Sequence, residues 1–260
     1  MNRITSIMAM HTRDRVGWFV IPASVLGAGF VIALLITLLV HGLTGGSTPV
    51  YTGALASLYF VMLVIGVSAV TRTFPFAVGF GALRREYALG TLAIGAAFSA
   101  AWALLLGLLS LVEANLVDYW GVGLHLFHLP FFSDGAFLRQ FCWSYYENAA
   151  CARSDPGYVS GASSWAQLWV YFALLLFMYL LGLLIGSVYQ RFGRVGAYSS
   201  AGVAVLLLSV FALLGTYLGW WSGIVGWLLQ QTAASFSLWL LPPMALFALA
   251  SYALLRKATV

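Results

Sequence analysis

The chain is nearly without charge and nearly without lysine. Only 7% of its 260 residues are charged, and lysine occurs once, at Lys257. A phosphate-binding loop of the Gly-x-x-x-x-Gly-Lys-Ser/Thr type is therefore excluded, and with it a nucleotide hydrolase of that class in this chain. No Asp, Glu, Lys, Arg or His falls inside the six long apolar windows Trp18 to Val40, Tyr51 to Val70, Leu89 to Val112, Trp165 to Tyr189, Val195 to Tyr217 and Phe236 to Leu255. Proton- and ion-coupled transporters keep such residues within the bilayer as relays or ligands, so their absence disfavours that class. Only sodium sites built from carbonyls and hydroxyls keep it open. There is also no His-Glu-x-x-His, no Gly-x-Ser-x-Gly and no intramembrane acid pair, which argues against a membrane enzyme.

What is abundant is apolar surface: 62% hydrophobic residues, 16% aromatics and a mean hydropathy of +0.96. No soluble domain has this composition; the bilayer is its solvent. A spanning helix needs about 20 apolar residues, and each of the six windows supplies them. The expectation is an all-α polytopic membrane protein with six transmembrane helices in a single domain, 1–260.

An even number of spans places both termini on one side. That side holds Arg3, Arg13, Arg15, Arg72, Arg84, Arg85, Arg191, Arg194, Arg256 and Lys257, ten of the twelve basic residues, and is read as cytoplasmic. Glu113, Asp118, Asp134, Glu147 and Asp155 fall on the other side. The net charge of +5 is then a topology signal, not a nucleic-acid footprint. The first apolar run is longer than a signal-peptide core, and losing it would break the charge parity, so it is expected to be retained.

Residues 1–15 carry Ile4, Ile7, Met8 and His11 at helical spacing beside Arg3, Arg13 and Arg15, which fits a short helix on the inner membrane surface or a basic tail. Residues 113–164 form the one large polar insertion, rich in rings, and are expected outside. They hold both cysteines, Cys142 and Cys151, where a disulfide is favoured over two free thiols. His125 and His128, with Asp118 and Asp134, offer a weak metal pattern; with no third ligand fixed by spacing, interfacial ring contacts are the better reading. Residues 219–235 are apolar for only about eleven positions before Gln230-Gln231, too short to span, and are read as a re-entrant hairpin before the last helix. Pro242-Pro243 should bend or restart that helix. Gly182-x-x-x-Gly186 permits a close helix approach, within the chain or between subunits.

The connection Thr71 to Thr91, TRTFPFAVGFGALRREYALGT, places three charges and a Phe-Pro-Phe between two apolar runs. With Thr73 as a cap and Pro75 in the first turn, it reads as a short helix whose Arg84-Arg85 pair lies near the C-terminal end, where the dipole favours cations. Phe76, Phe80 and Leu83 then share a face, suited either to a groove on another protein or to anchoring in the membrane interface.

The layout resembles the permease subunits of ATP-binding-cassette exporters of the type-two export permease family: an interfacial N-terminal helix, six spans, a Phe-Pro-Phe…Gly-Ala-Leu-Arg-Arg-Glu-Tyr segment after span two, and a half-inserted hairpin before span six. The resemblance covers nearly the whole chain in layout and is most specific over Thr71 to Thr91. It implies that residues 72–88 are a cytoplasmic coupling segment docking on a separate ATPase. Phe74, Pro75, Phe76, Val78, Phe80, Leu83, Arg84, Arg85 and Glu86 would be the docking residues. Two ATPase subunits carrying ATP and Mg would work with two permeases, identical or related, in a bacterial cytoplasmic membrane; this chain would hold no cofactor and no metal of its own. The long aromatic insertion at 113–164 departs from many relatives and weakens any transfer of cargo. An uncharged, ring-rich interior fits an amphipathic or hydrophobic drug, peptide or lipid, with Trp102, Phe172, Phe177, Tyr179 and Phe211 as candidate path residues. A secondary transporter or channel, and a membrane sensor or immunity protein, are the alternatives.

Overall fold

A computed structural model describes residues 3–14, 16–44, 50–51, 53–122, 124–127, 164–230 and 233–258. The chain is a helical, membrane-embedded, multi-pass protein. Five of its helices are long and apolar enough to cross a membrane: Val16–Leu43, Ala54–Gly79, Arg84–Glu113, Ala166–Tyr217 and Ser235–Arg256. The sequence windows led to an expectation of six. Two of them lie in one 52-residue helical stretch here.

The helices begin and end where proline and glycine interrupt the backbone ladder. Helix α1 (Arg3–Arg13) packs on the start of α5, with Ile7 buried and Met8 and Met10 against the core, so this segment is a docked helix and not a frayed tail. A π-helical turn, Val16–Val20, leads into α2 (Ile21–Thr44). Pro22 supplies no N–H for the Trp18 carbonyl, a reason for irregular winding at that point. Helix α3 (Ala54–Thr71) is followed almost without interruption by α4 (Thr73–Gly79), Arg72 between them staying in the right-handed helical region. Helix α5 (Arg84–Asn115) is the longest unbroken element, 32 residues.

Helix α6 (Ser164–Tyr217) is broken at Gly193, whose φ of 70° and ψ of −166° are open to glycine and strained for other residues. Its first limb is packed and its second is exposed over Ser199–Leu214. Gly219 (φ 68°) then turns the chain into α7 (Trp220–Gln230), where Trp221 returns to α6, its indole N–H donating to the Thr216 hydroxyl at 3.0 Å. Helices α8 (Ala233–Trp239) and α9 (Leu241–Arg256) complete the chain, and the Trp227 and Trp239 rings meet at 5.4 Å. The Pro242-Pro243 pair occupies the first turn of α9, where a missing N–H costs nothing, and so restarts the helix as the sequence implies. Two short strands, β1 (Val50–Tyr51) and β2 (Leu124–His125), pair in parallel.

The core is α3, α5 and the first limb of α6, with α2 and α9 outside it. Glycine sets the distances. A Cβ on Gly66 would lie 3.0 Å from the Leu183 nitrogen and 3.1 Å from the Gly182 Cα, and one on Gly182 would overlap the Leu63 carbonyl oxygen. The Gly182/Gly186 pair therefore faces α3 within the same chain, since a Gly186 Cβ would lie 3.0 Å from Val70. On the other side of α6 the Tyr179 ring fills the space above Gly95 of α5. These approaches also fix polarity: Arg191 and Arg194 come to the end of the bundle that carries Arg72, Arg84, Arg85 and Arg256. Arg84 there donates to the Arg256 carbonyl at 3.0 Å.

Replacing Gly182 by Ala forces the α3 and α6 backbones apart and is expected to destabilise the folded protein by about 1–3 kcal/mol, the range of overpacked sites. Gly27→Ala, where nothing lies within 4 Å of the new Cβ, is expected to be neutral. Thermal unfolding in detergent followed by size-exclusion chromatography checks both; equal midpoints would refute the close crossing.

Candidate functional site

The nine residues proposed for docking lie in a short stretch at the basic end of the bundle, and the fold sorts them into two sets. Pro75 has no N–H for the Thr71 carbonyl and its ring crowds that carbonyl, which is why α3 is interrupted there and α4 continues it as a separate short helix. The Phe80 N–H bonds the Phe76 carbonyl at 3.2 Å and the Gly81 N–H bonds the Val78 carbonyl at 2.9 Å. Gly81 (φ 81°) then reverses the chain in a left-handed conformation that suits glycine.

One set faces inward. Phe74 is fully buried, its ring edge-on to Tyr87 at 5.2 Å. The Tyr87 hydroxyl meets the Thr73 hydroxyl at 2.7 Å and donates to the Ala69 carbonyl, tying the end of α3, the start of α4 and the start of α5 together. Thr73 is the first residue of α4, not its cap, because its hydroxyl donates back to the Ala69 carbonyl. Pro75, Val78, Arg84 and Glu86 are half-buried.

The other set faces out. Phe76 is 58% exposed, Phe80 79% and Leu83 54%, and the two phenyl rings stack with centroids 4.6 Å apart. Arg85 is exposed beside them. Of the face read from the sequence for Phe76, Phe80 and Leu83, the Phe76-Phe80 pair is present; Leu83 is exposed too but lies past the Gly81 reversal on extended backbone, outside the helix that the spacing assumed. The reading of Arg84-Arg85 as the end of the short helix is corrected: α4 stops at Gly79, Leu83 is extended (ψ 134°), and Arg84-Arg85-Glu86 form the first turn of α5. There the dipole favours Glu86 and opposes the two arginines, of which Arg84 is held by the Arg256 carbonyl.

Of the five candidate path residues, Trp102 and Tyr179 are linked through the rings of Phe98 and Trp18, while Phe172, Phe177 and Phe211 have other ring partners. Trp102 is buried against Phe98 at 6.1 Å, and Tyr179 is fully buried, its hydroxyl donating to the Thr91 carbonyl at 3.0 Å. Phe172 lies beside Trp169 at 5.9 Å, Phe177 beside Phe247 at 5.5 Å, and Phe211 beside Trp221 on the outlying limb of α6 at 6.3 Å.

At the opposite end, Glu113 is a feature that the sequence reading missed. It was placed with the acids of the outer connection, yet its side chain has no exposed surface. Its carboxylate accepts the Trp120 indole N–H at 3.1 Å and the backbone N–H groups of Leu126 and Phe127 at 2.8 and 2.9 Å. The Phe127 carbonyl in turn accepts from Gln167 at 3.3 Å and from the Tyr171 hydroxyl of α6. A buried anion is tolerated where such donors replace its water. The signal in the sequence was an acid at the end of an apolar run, followed by a Trp seven residues on. Cys142, Cys151 and His128 lie outside the described residues, and among the described residues no three of His, Cys, Asp and Glu cluster as metal ligands do.

The chain matches no protein-family model, no curated protein and no solved structure.

Glu113→Gln offers an NH2 donor where Phe127 N–H needs an acceptor, a loss of about 1–3 kcal/mol for an unsatisfied buried group. Hydrogen exchange at the Leu126 and Phe127 amides is expected to speed up about tenfold or more, which corresponds to the lower half of that range. Unchanged protection would mean that the carboxylate does not hold this turn.

Proposed function

We propose that the protein is the substrate-translocating permease subunit of an ATP-driven exporter, powered by a separate ATPase that docks on Phe76, Phe80, Leu83 and Arg85. The observation that carries this reading is the exposed, stacked Phe76-Phe80 pair on a short helix clamped to two core helices by Phe74, Thr73 and Tyr87. An apolar ridge of this kind costs free energy in water unless a partner covers it. A rigid mount is what mechanical coupling needs, because a load on a loose loop would be lost in its own motion. The run Ala54–Gly79 is about 39 Å long at 1.5 Å per residue, against a hydrocarbon core of about 30 Å, which supports α4 projecting beyond the membrane.

The proposed topology has six crossings with both termini in the cytoplasm. Ala166–Tyr217 would be about 78 Å long if straight, enough for two crossings, and the Gly193 break is flanked by Arg191 and Arg194, which belong at a polar surface and not in hydrocarbon. Helix α7 is about 16 Å long, half a crossing, so α7 and α8 are read as the half-inserted hairpin. In the working assembly, two ATPase subunits closing on ATP and Mg would press on the α4 ridges of two permeases. Tyr87 and Phe74 would pass the displacement to α3 and α5, shifting the bundle between inward-open and outward-open states. With no charge in its apolar windows, the interior fits an amphipathic or hydrophobic cargo.

The test is affinity purification of the full chain from its native membrane. The wild type is expected to bring down an ATPase with a Gly-x-x-x-x-Gly-Lys-Ser/Thr motif, and Phe76→Ser/Phe80→Ser to lose it by about tenfold or more, as removal of two central aromatic anchors does. Arg84→Ala is expected to act through the Arg256 carbonyl and to weaken recovery less. A wild type that elutes without any ATPase overturns the reading and makes the ridge a membrane anchor.

A further inference from the structure

A cavity of about 330 Å3 lies between the end of α1, the π-helical turn and the flank of α3. Trp18, Ile21, Phe60, Val61, Val64 and Ile65 form an apolar wall, and Asp14, Ser68, Arg72 and Thr73 form a polar edge. It holds about eleven water-sized groups at roughly 30 Å3 each, room for one acyl segment and too little for two chains. Phe60 (65% exposed) and Val64 (59%) lie on the outer face of α3, so the cavity opens sideways into the bilayer.

The edge carries one unit charge of each sign. Asp14 is held in place because its Oδ1 accepts the Gly17 N–H at 3.0 Å, and Gly17 leaves room for it: a Cβ there would lie 2.5 Å from Oδ2. Arg72 sits at the joint between α3 and α4 and is exposed. Among the described residues neither group forms an ion pair. An anionic headgroup would meet Arg72 but be repelled by Asp14, and a cationic one the reverse. A zwitterionic headgroup satisfies both.

The geometry points to a binding site for a zwitterionic phospholipid of the surrounding bilayer, one acyl chain in the cavity, its phosphate on Arg72 and its ammonium on Asp14. The site stands on the cavity and its two charges and does not depend on any ATPase. It lies against the mount of the α4 ridge, so an occupant would brace α1 against α3 and steady the joint at Arg72.

The experiment uses the full chain in a neutral maltoside micelle, with bound lipid counted by native mass spectrometry. Three single-chain amphiphiles of equal acyl length compete: one with phosphocholine, one with phosphoglycerol and one with trimethylammonium. One phosphocholine lipid per chain is expected, favoured over either singly charged amphiphile by about fivefold, the upper end for an exposed ion pair. Asp14→Asn should erase the preference over phosphoglycerol, Arg72→Gln the preference over trimethylammonium, and Val64→Trp, at an exposed position, retention of all three. Equal retention of the three by the wild type, which needs no variant to fold, overturns the proposal. Charge variants that keep both preferences overturn it too. A chain that selects phosphocholine yet recovers no ATPase keeps this site and loses the transport reading.

Discussion

In hydrocarbon the tails of lipids solvate a leucine as well as another leucine does, so close packing must do what the hydrophobic effect does in water. The contact on which this bundle depends is the approach of the α3 and α6 backbones at Gly66 and Gly182, where there is no room for a single methyl group. Tyr179, one turn away on α6, reaches across to α5, covers Gly95 and donates to the Thr91 carbonyl. Three helices are thereby set at distances fixed by glycine on one side and by a phenol ring on the other. The remaining helices lie outside this triad and show far more surface.

A second constraint is that no water serves the backbone inside a membrane. Every break in a helix must fall where its freed carbonyls find partners. The breaks at Pro75, Gly81 and Gly193 lie at the arginine-bearing end, and near the first of them the hydroxyls of Thr73 and Tyr87 both donate to the Ala69 carbonyl in the last turn of α3. At the other end the Glu113 carboxylate takes two backbone N–H groups and an indole N–H out of the turn after α5. Both ends of the triad are thus closed by short polar clusters, and the exposed Phe76-Phe80 pair and the lateral cavity both lie towards the basic one. The aromatic ridge of α4 and the charged rim of the lateral cavity share the Arg72 joint.

Much of this was legible without coordinates. Hydropathy located the apolar helices to within a few residues, the Gly/Pro breaks told where they stop, and the pairing of Phe76 with Phe80 followed from their spacing of four. Arg84 and Arg256, expected on one side from the charge pattern, do meet at one end of the bundle. Spacing makes Thr73 a cap and Arg84-Arg85 a helix end; the Thr73 hydroxyl instead donates to the Ala69 carbonyl, and the Gly-Phe-Gly interruption does not say on which side of it a charge belongs. Placing Glu113 in the outer connection does not reveal its burial, because two of its three donors, the Leu126 and Phe127 amides, are backbone groups that residue types do not mark.

The sequence by itself determined the solvent, the helices and the end at which positive charge collects, since each is a sum of transfer free energies of individual residues. Only the tertiary structure decided which ring faces outward and which is buried: Phe76 and Phe80 against Phe74, one helix and three aromatics. It also decided that Gly182 meets Gly66 in the same chain, and that Asp14 and Arg72, 58 positions apart, edge one cavity. In helices apolar on every face, composition carries no period to mark the inside. That choice falls to close packing, which depends on which other helix arrives.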